Sequence, residues 1–442
     1  MEQNSRDMPA EPPLFAGEAW FDPIEAGIRE RIRGFIEELL EEELSDVLGR
    51  ARYQRPGSPG STREAVRPEP RRGTAGYRHG RRERQLLGSF GPVTIRVPRA
   101  RLVDAAGASQ EWHSAALPRY ARMTRQVEAL IAGAYLSGTN TRRVRRALAA
   151  LFRGAVSKDT VSRTWRKVRT DWEAWSRRSL AEEDVVRLVL DGTVARARLD
   201  RRATSISLLV VLGIRRDGQK VLLAVKNMGG ESEAAWRAVL DDLVSRGLRG
   251  PEFVIIDGAP GLEKALGLVW PDALAQRCTV HKHRNLLAHA PERLHDEISA
   301  DYTDMIHAGT LREIETRRKS FIRKWRPKCR AVADSLEEAG DRLFTFTRLP
   351  PSQWKSARTT NAIERLHEEF KRRIKTQTVL PSAETAAMLF WAEVVRRFRR
   401  AAGSVEGPPE GLLASGQITL RKVDGWRTLA QKPTDQMIDL AA

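Results

Sequence analysis

Two short apolar runs each stop at an aspartate. Val185-Val186-Arg187-Leu188-Val189-Leu190 ends at Asp191-Gly192, and Phe253-Val254-Ile255-Ile256 ends at Asp257-Gly258. An acid and a glycine after such a run either close a strand as turn formers or hold a carboxylate fixed at a sheet edge, and the local sequence allows both. Two acids on neighbouring strands would repel each other. A divalent cation between them removes that cost, and hard oxygen donors with open water positions select Mg²⁺ or Mn²⁺. Two such ions are the apparatus of phosphoryl transfer, which usually calls for a third acid. Glu364, Glu368 and Glu369 offer one, with Glu364 and Glu368 one turn apart on a shared helix face. All three could instead be solvated charges balancing Arg365, Lys371, Arg372 and Arg373. Ile363, Leu366 and Phe370 flank Glu364 with apolar side chains that would seat that part of the helix on a sheet, so Glu364 is preferred.

The elements around these acids follow from periodicity. Strands are expected at 185–190, 206–214 and 220–227, the last two joined through Arg215-Arg216-Asp217-Gly218. A helix from Ser232 to Ser245, the strand ending at Asp257, a helix at 262–268 and a strand at 275–280 come next. An antiparallel meander followed by helix-connected strands implies a mixed sheet in which the runs ending at Asp191 and Asp257 are central. Residues 285–354 read as helical with Trp325 and Leu343 as anchors, and helices are expected at 362–375 and 383–399.

Upstream, Pro23 to Leu48 reads as an amphipathic helix. Residues 50–101 carry 14 arginines against Glu64, Glu69 and Glu83, which suggests a loop or nucleic-acid-tracking arm with strand character only at 89–99. Helical patterns resume from Thr124 to Leu180. Thr141 to Phe152 places Val144, Leu148 and Leu151 on one face, Gly154 breaks it, and Ser157 can cap a second helix. That helix buries Val161, Trp165 and Val168 and is expected to expose Lys158, Thr160, Ser162, Arg163 and Arg166. A Gly-containing turn before a basic, hydroxyl-rich helix is the pattern of a helix-turn-helix DNA reader, and equally of a helical hairpin with a solvated face.

The 442 residues allow two or three domains, and 41% hydrophobic content is enough to fold them. With 76 Lys and Arg against 57 Asp and Glu, the formal charge is +19 and favours a polyanionic partner. No segment reads as a membrane span or secretory signal, and two cysteines, Cys278 and Cys329, fit a reducing cytoplasm.

The segments VIIDGAPGLEKALGLVWPDALAQRCTVHKHRN, GESEAAW (230–236) and TTNAIERLHEEFKRRIKTQ (359–377) resemble the signature segments of Mutator-type transposases of bacterial insertion sequences. The resemblance runs in matching order from ELLEEELSDVLG (38–49) to about residue 400. It implies a multidomain α+β protein: a helical DNA-binding N-terminal region, then a ribonuclease-H-like mixed sheet interrupted by an all-helical insertion. The implied boundaries are an N-terminal helix, basic arm and hairpin (1–123), a helix-turn-helix-like domain (124–180), the first part of the core (181–284), the insertion (285–355), the second part of the core (356–402) and a tail (403–442). The implied catalytic and metal-binding triad is Asp191, Asp257 and Glu364 with two Mg²⁺ or Mn²⁺ ions. The spacing fits, since the 107 residues between Asp257 and Glu364 are too many without an inserted domain.

The resemblance also singles out Cys278 and His281, a C-x₂-H pair near the active site. From the residues alone Cys278 is a buried strand residue and His281 lies at that strand's end, where it could meet DNA. A zinc site using Cys278, His281, His283 and Cys329 is the alternative. Lys282, His283, Arg284 and Asn285 would hold DNA backbone near the ions. His367 stands where many relatives carry asparagine, and neither it nor the proline-rich arm at 55–72 is expected to touch the acids. The implied partners are the element's terminal repeats and target DNA, bound by a homodimer or larger assembly in the bacterial nucleoid, with no membrane involved. Rival readings are a non-catalytic DNA-binding protein, a decayed transposase, and a nuclease of the same fold.

Overall fold

The computed structural model describes residues 23–53, 75–104, 107–136, 141–375, 379–401 and 422–434. The acidic N-terminal segment, the proline-rich arm and most of the tail from 403 lie outside them. Two compact units divide the chain, Met1–Tyr135 with Asn140–Trp165 and Leu136–Thr139 with Arg166–Ala442.

In the first unit α1 (Pro23–Leu48) has the expected span. It packs on a hairpin of β1 (Ala75–Gly88) and β2 (Gly91–Val103), with β3 (Ser109–Glu111) on the other edge of β2. Leu40 joins Leu86, Ile95 and Val97, while Leu44 joins Ala100, Leu102 and Trp112. The long strand β1 corrects the reading of this stretch as an irregular arm. Its backbone pairs with β2 from Ala75↔Val103 to Gly88↔Gly91. Arg78 and Arg81 reach Glu41 of α1 at 3.1 and 2.9 Å. Ladder hydrogen bonds do not depend on side-chain composition, and the acidic partner is distant in sequence.

The helices α2 (Arg125–Leu136), α3 (Thr141–Ala147), α4 (Ala149–Phe152) and α5 (Lys158–Arg177) follow. Residues 141–152 thus form two short helices rather than one, and Leu151, expected to be buried, is exposed while Phe152 is buried. Ser157 Oγ accepts the Thr160 N–H at 3.1 Å, as a cap should. Thr160 itself is buried with its hydroxyl 3.0 Å from Ser157 Oγ, which corrects its placement on the exposed face: it serves the cap. Lys158, Ser162, Arg163 and Arg166 are exposed.

The second unit is built on a five-stranded sheet in the order β6-β5-β4-β7-β8. The antiparallel part is β4 (Val185–Leu199), β5 (Arg202–Arg215) and β6 (Lys220–Met228). Then come α6 (Glu233–Ser245), β7 (Phe253–Ile256), α7 (Pro260–Val269) and β8 (Leu274–Arg277), with β7 parallel to both β4 and β8. The expected order and the central place of β4 and β7 hold. β4, however, runs through Asp191 to Leu199 instead of stopping there. Thr193, Ala195 and Ala197 are buried between exposed Val194, Arg196 and Arg198, an alternation that continues the strand, and the chain turns at Asp200 and Arg201, both with positive φ. β8 stops at Arg277, three residues early, because Cys278 opens the next helix.

Ser232 caps α6 by accepting the Ala235 N–H. With α7 it covers one sheet face, burying Trp236, Val239, Leu240, Leu262 and Leu266 against Leu188, Leu190, Val254 and Ile256. The expected helical stretch contains α8 (Thr279–Ala288), α9 (His295–Ile306), α10 (Leu311–Lys328), α11 (Arg330–Ala339) and α12 (Pro351–Ala357), with Trp325 and Leu343 fully buried. α13 (Asn361–Ile374) and α14 (Ala383–Ala401) then pack on β4. Trp391 of α14 clusters with Trp172 and Trp175 at ring-centroid distances of 5.7 and 5.9 Å. Among the described residues no helix is long and apolar enough to cross a membrane.

Candidate active site

The register of β4 against β7 brings the two aspartates together. Arg187 pairs with Phe253, Leu188 with Val254 and Val189 with Ile255. Carried two residues further, the same offset sets Asp257 beside Asp191, on chains spaced about 4.8 Å apart in a sheet. β8 extends the row: Ile256 pairs with Arg277, and the Cys278 N–H donates to Ile256 O at 2.6 Å, so Cys278 comes level with Asp257.

Asp257 answers the opening alternative in both senses. Its Oδ1 accepts the Ala259 N–H at 2.9 Å, as in a turn. Gly258 has φ +91°, and a side chain there would run into Arg277, which donates to Gly258 O at 3.1 Å. The turn is therefore pinned, and with it the carboxylate. Asp191 is 6% exposed, with Oδ1 accepting the Gly192 N–H at 3.0 Å and Oδ2 lying 3.3 Å from His367 Nδ1. This corrects the expectation that His367 stands clear of the acids. It lies on the buried face of α13, three residues after Glu364, with its ring edge-on to Phe390.

Of the three glutamates, Glu364 faces the site. Its Oε1 lies 3.3 Å from Thr360 Oγ1 and 3.6 Å from His281 Nδ1, and Arg284 donates to Oε2 at 3.5 Å. Glu368 is exposed, and Glu369 accepts from Arg372 at 2.7 Å. Ile363, Leu366 and Phe370 are buried as expected. Cys278 is buried as expected but is no strand residue: it caps α8, which puts His281 in the helix's first turn. Its Sγ accepts the Thr360 N–H at 3.3 Å and lies 3.2 Å from Thr360 Oγ1. The hydrogen bond that the His281 ring donates to Cys278 pushes His281 up to about 9, with the charges of Cys278, Asp191 and Glu364 adding to it against burial. Burial raises the Cys278 thiol, but hydrogen bonds from His281 and Thr360 outweigh it and leave the thiol below its ordinary value.

Cys278 Sγ, His281 Nδ1 and a Glu364 oxygen lie within 4.8 Å of one another, a mixed donor set suited to a zinc-like ion. The other two proposed zinc ligands are elsewhere: His283 Nε2 is 3.0 Å from Ser299 Oγ with its ring stacked on Tyr302, and Cys329 Sγ contacts His289 O at 3.6 Å. Lys282 is a second correction among the residues assigned to DNA. It is buried, donating to Ser335 O and Glu338 Oε2 at 2.9 Å each, because helical geometry turns it inward while Arg284 and Asn285 remain exposed.

One acid escaped the sequence reading. Glu231, within GESEAAW, follows β6 at the sheet end that also carries Asp191 and Asp257. Burial and the charges of Asp257 and Asp191 raise its carboxyl above the ordinary value. The available signal was weaker than for the aspartates: an apolar strand, then two glycines before the acid instead of an acid that ends the run.

Carboxylate oxygens are the donors a hard divalent ion takes, but among the described residues the three donors that lie within 4.8 Å of one another are those of Cys278, His281 and Glu364. Asp191, Asp257 and Glu231 are carboxylates gathered at one sheet end. Among the described residues, His367 Nε2 and Thr193 Oγ1, the latter two residues beyond Asp191 on the same strand face, are buried without a protein partner.

The family described as "Transposase, Mutator family" matches residues 18–397, and this chain belongs to that family. Relatives include the transposase for insertion sequence element ISRM5 of Rhizobium meliloti, 32% identical over 84% of this chain and 87% of its own length. The transposase for insertion sequence element IS905 of Lactococcus lactis is 29% identical over 82% and 86%. The transposase for insertion sequence element IS256 in transposon Tn4001 of Staphylococcus aureus is 27% identical over 71% and 79%.

Proposed function

We propose that this chain is the transposase of a bacterial insertion sequence, which cuts phosphodiester bonds at the element's ends and joins the freed 3′-hydroxyls to target DNA. The observation that carries this reading is the parallel register of β4 and β7, which, carried two residues past Val189↔Ile255, sets Asp257 just after β7 level with Asp191, with Glu364 presented by a helix packed on the same sheet. Asp191, Asp257 and Glu364 would hold two Mg²⁺ or Mn²⁺ ions. Bound ions supply a water of lowered pKa as the first nucleophile and stabilise the leaving 3′-oxygen. Asp191 is kept in place by the Gly192 amide and His367, and Asp257 by its own turn. His281 at neutral pH is protonated and presents positive charge beside Glu364, while exposed Arg284 can meet a backbone phosphate.

The core in this reading is ribonuclease-H-like: supporting it are three antiparallel strands followed by two parallel ones beside the first. The insertion is then 285–355, from within α8 into α12, which takes the chain away after β8 and returns it at α13. The helices around α5 read the terminal repeats through Lys158, Ser162, Arg163 and Arg166. The net positive charge supports DNA as the partner, with a homodimer or larger assembly on DNA in the nucleoid. A non-catalytic DNA binder of the same fold is the rival reading. Inverted repeats flanking the gene supply the substrate for the deciding assay. With Mg²⁺ the protein is expected to produce joined strands, and EDTA to stop joining while a gel shift persists. A persistent shift with no ion-dependent cleavage would favour the non-catalytic rival, and cut ends never joined would indicate a nuclease.

A further inference from the structure

We infer that Cys278, His281 and Glu364 form a binding site for a thiophilic divalent ion of the Zn²⁺ class, separate from the paired aspartates. The ligand set stands on its own geometry, and the consequence that filling it withdraws Glu364 from the triad rests on the reading above. Its first support is the arrangement of donors. Cys278 caps α8 and His281 lies in that helix's first turn, a spacing of three that sets the sulfur and the ring on one side. Glu364 comes from the first turn of α13, and its Oε1 is 3.6 Å from His281 Nδ1. Zn–N and Zn–O bonds of about 2.0–2.1 Å at tetrahedral angles set two such ligand atoms about 3.3 Å apart, so a small side-chain adjustment seats the ion. Thr360 Oγ1 stands within reach of every donor, 3.2 Å from Cys278 Sγ, 3.4 Å from His281 Nδ1 and 3.3 Å from Glu364 Oε1. Each ligand therefore has an outer polar partner of the kind that orients groups around a metal.

The second support is that the backbone already holds this arrangement. The starts of α8 and α13 are tied together by Thr279, which donates to Arg358 O through its N–H at 2.9 Å and its hydroxyl at 3.1 Å. Two helix N-termini thus converge on the site, and their free amides favour a thiolate and a carboxylate. The Thr360 N–H donates to Cys278 Sγ at 3.3 Å, and Arg284 takes the far carboxylate oxygen of Glu364 at 3.5 Å, which leaves Oε1 for an ion. Cys278 is buried, while the side chains of His281 and Glu364 are 26% and 17% exposed, so the site has an entry path from solvent. Sulfur and imidazole select Zn²⁺ over Mg²⁺, which takes oxygen donors and keeps its waters. Among the described residues these are the three donors within 4.8 Å of one another, and neither aspartate is one of them. An ion here keeps Glu364 with Cys278 and His281, so Zn²⁺ and the catalytic pair compete for one carboxylate.

The test uses the full chain without DNA and Co²⁺ as the optical stand-in for Zn²⁺. Stoichiometric Co²⁺ is expected to give the near-ultraviolet charge-transfer band of a thiolate ligand and the visible bands of a four-coordinate ion, and Zn²⁺ to bleach both. Cys329→Ser should keep the charge-transfer band and Cys278→Ser should lose it, with Zn²⁺ binding weakened about a hundredfold or more, at or beyond the upper end of what losing an outer partner costs. Should Cys278→Ser not fold, His281→Gln retains the thiol and should weaken Zn²⁺ in the same direction. Zn²⁺ added to the Mg²⁺ joining reaction should slow it, and Cys278→Ser should need at least about tenfold more Zn²⁺ for the same inhibition. No thiolate band at saturating Co²⁺, or a band lost in Cys329→Ser and kept in Cys278→Ser, would overturn the inference and leave the two-ion reading to its own assay. Joining unaffected at Zn²⁺ that fills the site would overturn the sharing of Glu364. A Cys278-dependent band in a protein that joins nothing in Mg²⁺ would keep this site and sink the triad instead.

Discussion

Asp191→Asn, Asp257→Asn and Glu364→Gln should each reduce strand transfer by about three orders of magnitude or more, the scale seen when a member of a catalytic unit is removed. Binding to the element's ends should change little, because Lys158, Ser162, Arg163 and Arg166 are far from these acids in sequence and belong to other elements. The substitutions are isosteric and remove negative charge from a crowded cluster, so loss of folding is not the expected cause. For Asp191 the Gly192 amide contact can be kept by the amide oxygen of asparagine. The readout is a joining assay on cognate ends beside a gel shift on the same DNA. Joining at the wild-type rate in any one variant removes that residue from the triad. A loss of gel shift in parallel would assign it to binding or folding instead.

Cys278→Ala should bring His281 from about 9 down towards its ordinary 6.5, a change of more than a hundredfold in proton affinity. The largest cause of the raised value is the Cys278 hydrogen bond, and burial then acts unopposed by it. Titrating the His281 ring by nuclear magnetic resonance in metal-free protein measures this directly. A variant ring that still titrates near 9 would assign the shift to Asp191 and Glu364. The effect on stability has two signs. His281, raised in the folded state, stabilises fully below pH 6.5, and that contribution is lost as pH rises through 9. Cys278, depressed in the folded state, stabilises above pH 9, and that contribution is lost as pH falls through its folded value. The two trends therefore oppose each other. Removing Cys278 therefore changes the charge beside Glu364 more than it changes the slope of stability with pH.

Elements with a strong local period were legible in the sequence. α1, α6 and the run into β7 have the expected positions, because their apolar spacing and the Ser232 cap are properties of adjacent residues. The order of strands and helices along the chain was legible too, and with it a mixed sheet with β4 and β7 inside it. What was lost depended on distant partners. The arginines of β1 find Glu41 some forty residues upstream, and no local rule marks that strand. Asp191 looked like a strand end because Asp-Gly is a turn signal, yet β5 pairs with β4 well past it. Cys278 looked like a strand residue because no capping side chain marks the start of α8. Lys282 and Thr160 have surface chemistry, but hydrogen bonds to Ser335 and Glu338 and a helix cap claim them. His367 and Glu231 reach the site only through packing and sheet direction.

Ion location tests the central claim most directly. A crystal of the protein with a cognate end and Mn²⁺, measured at the manganese absorption edge, should show anomalous density bridging Asp191 and Asp257 with Glu364 coordinated. Density confined to Cys278 and His281, or carboxylates left bare at saturating Mn²⁺, would contradict the account.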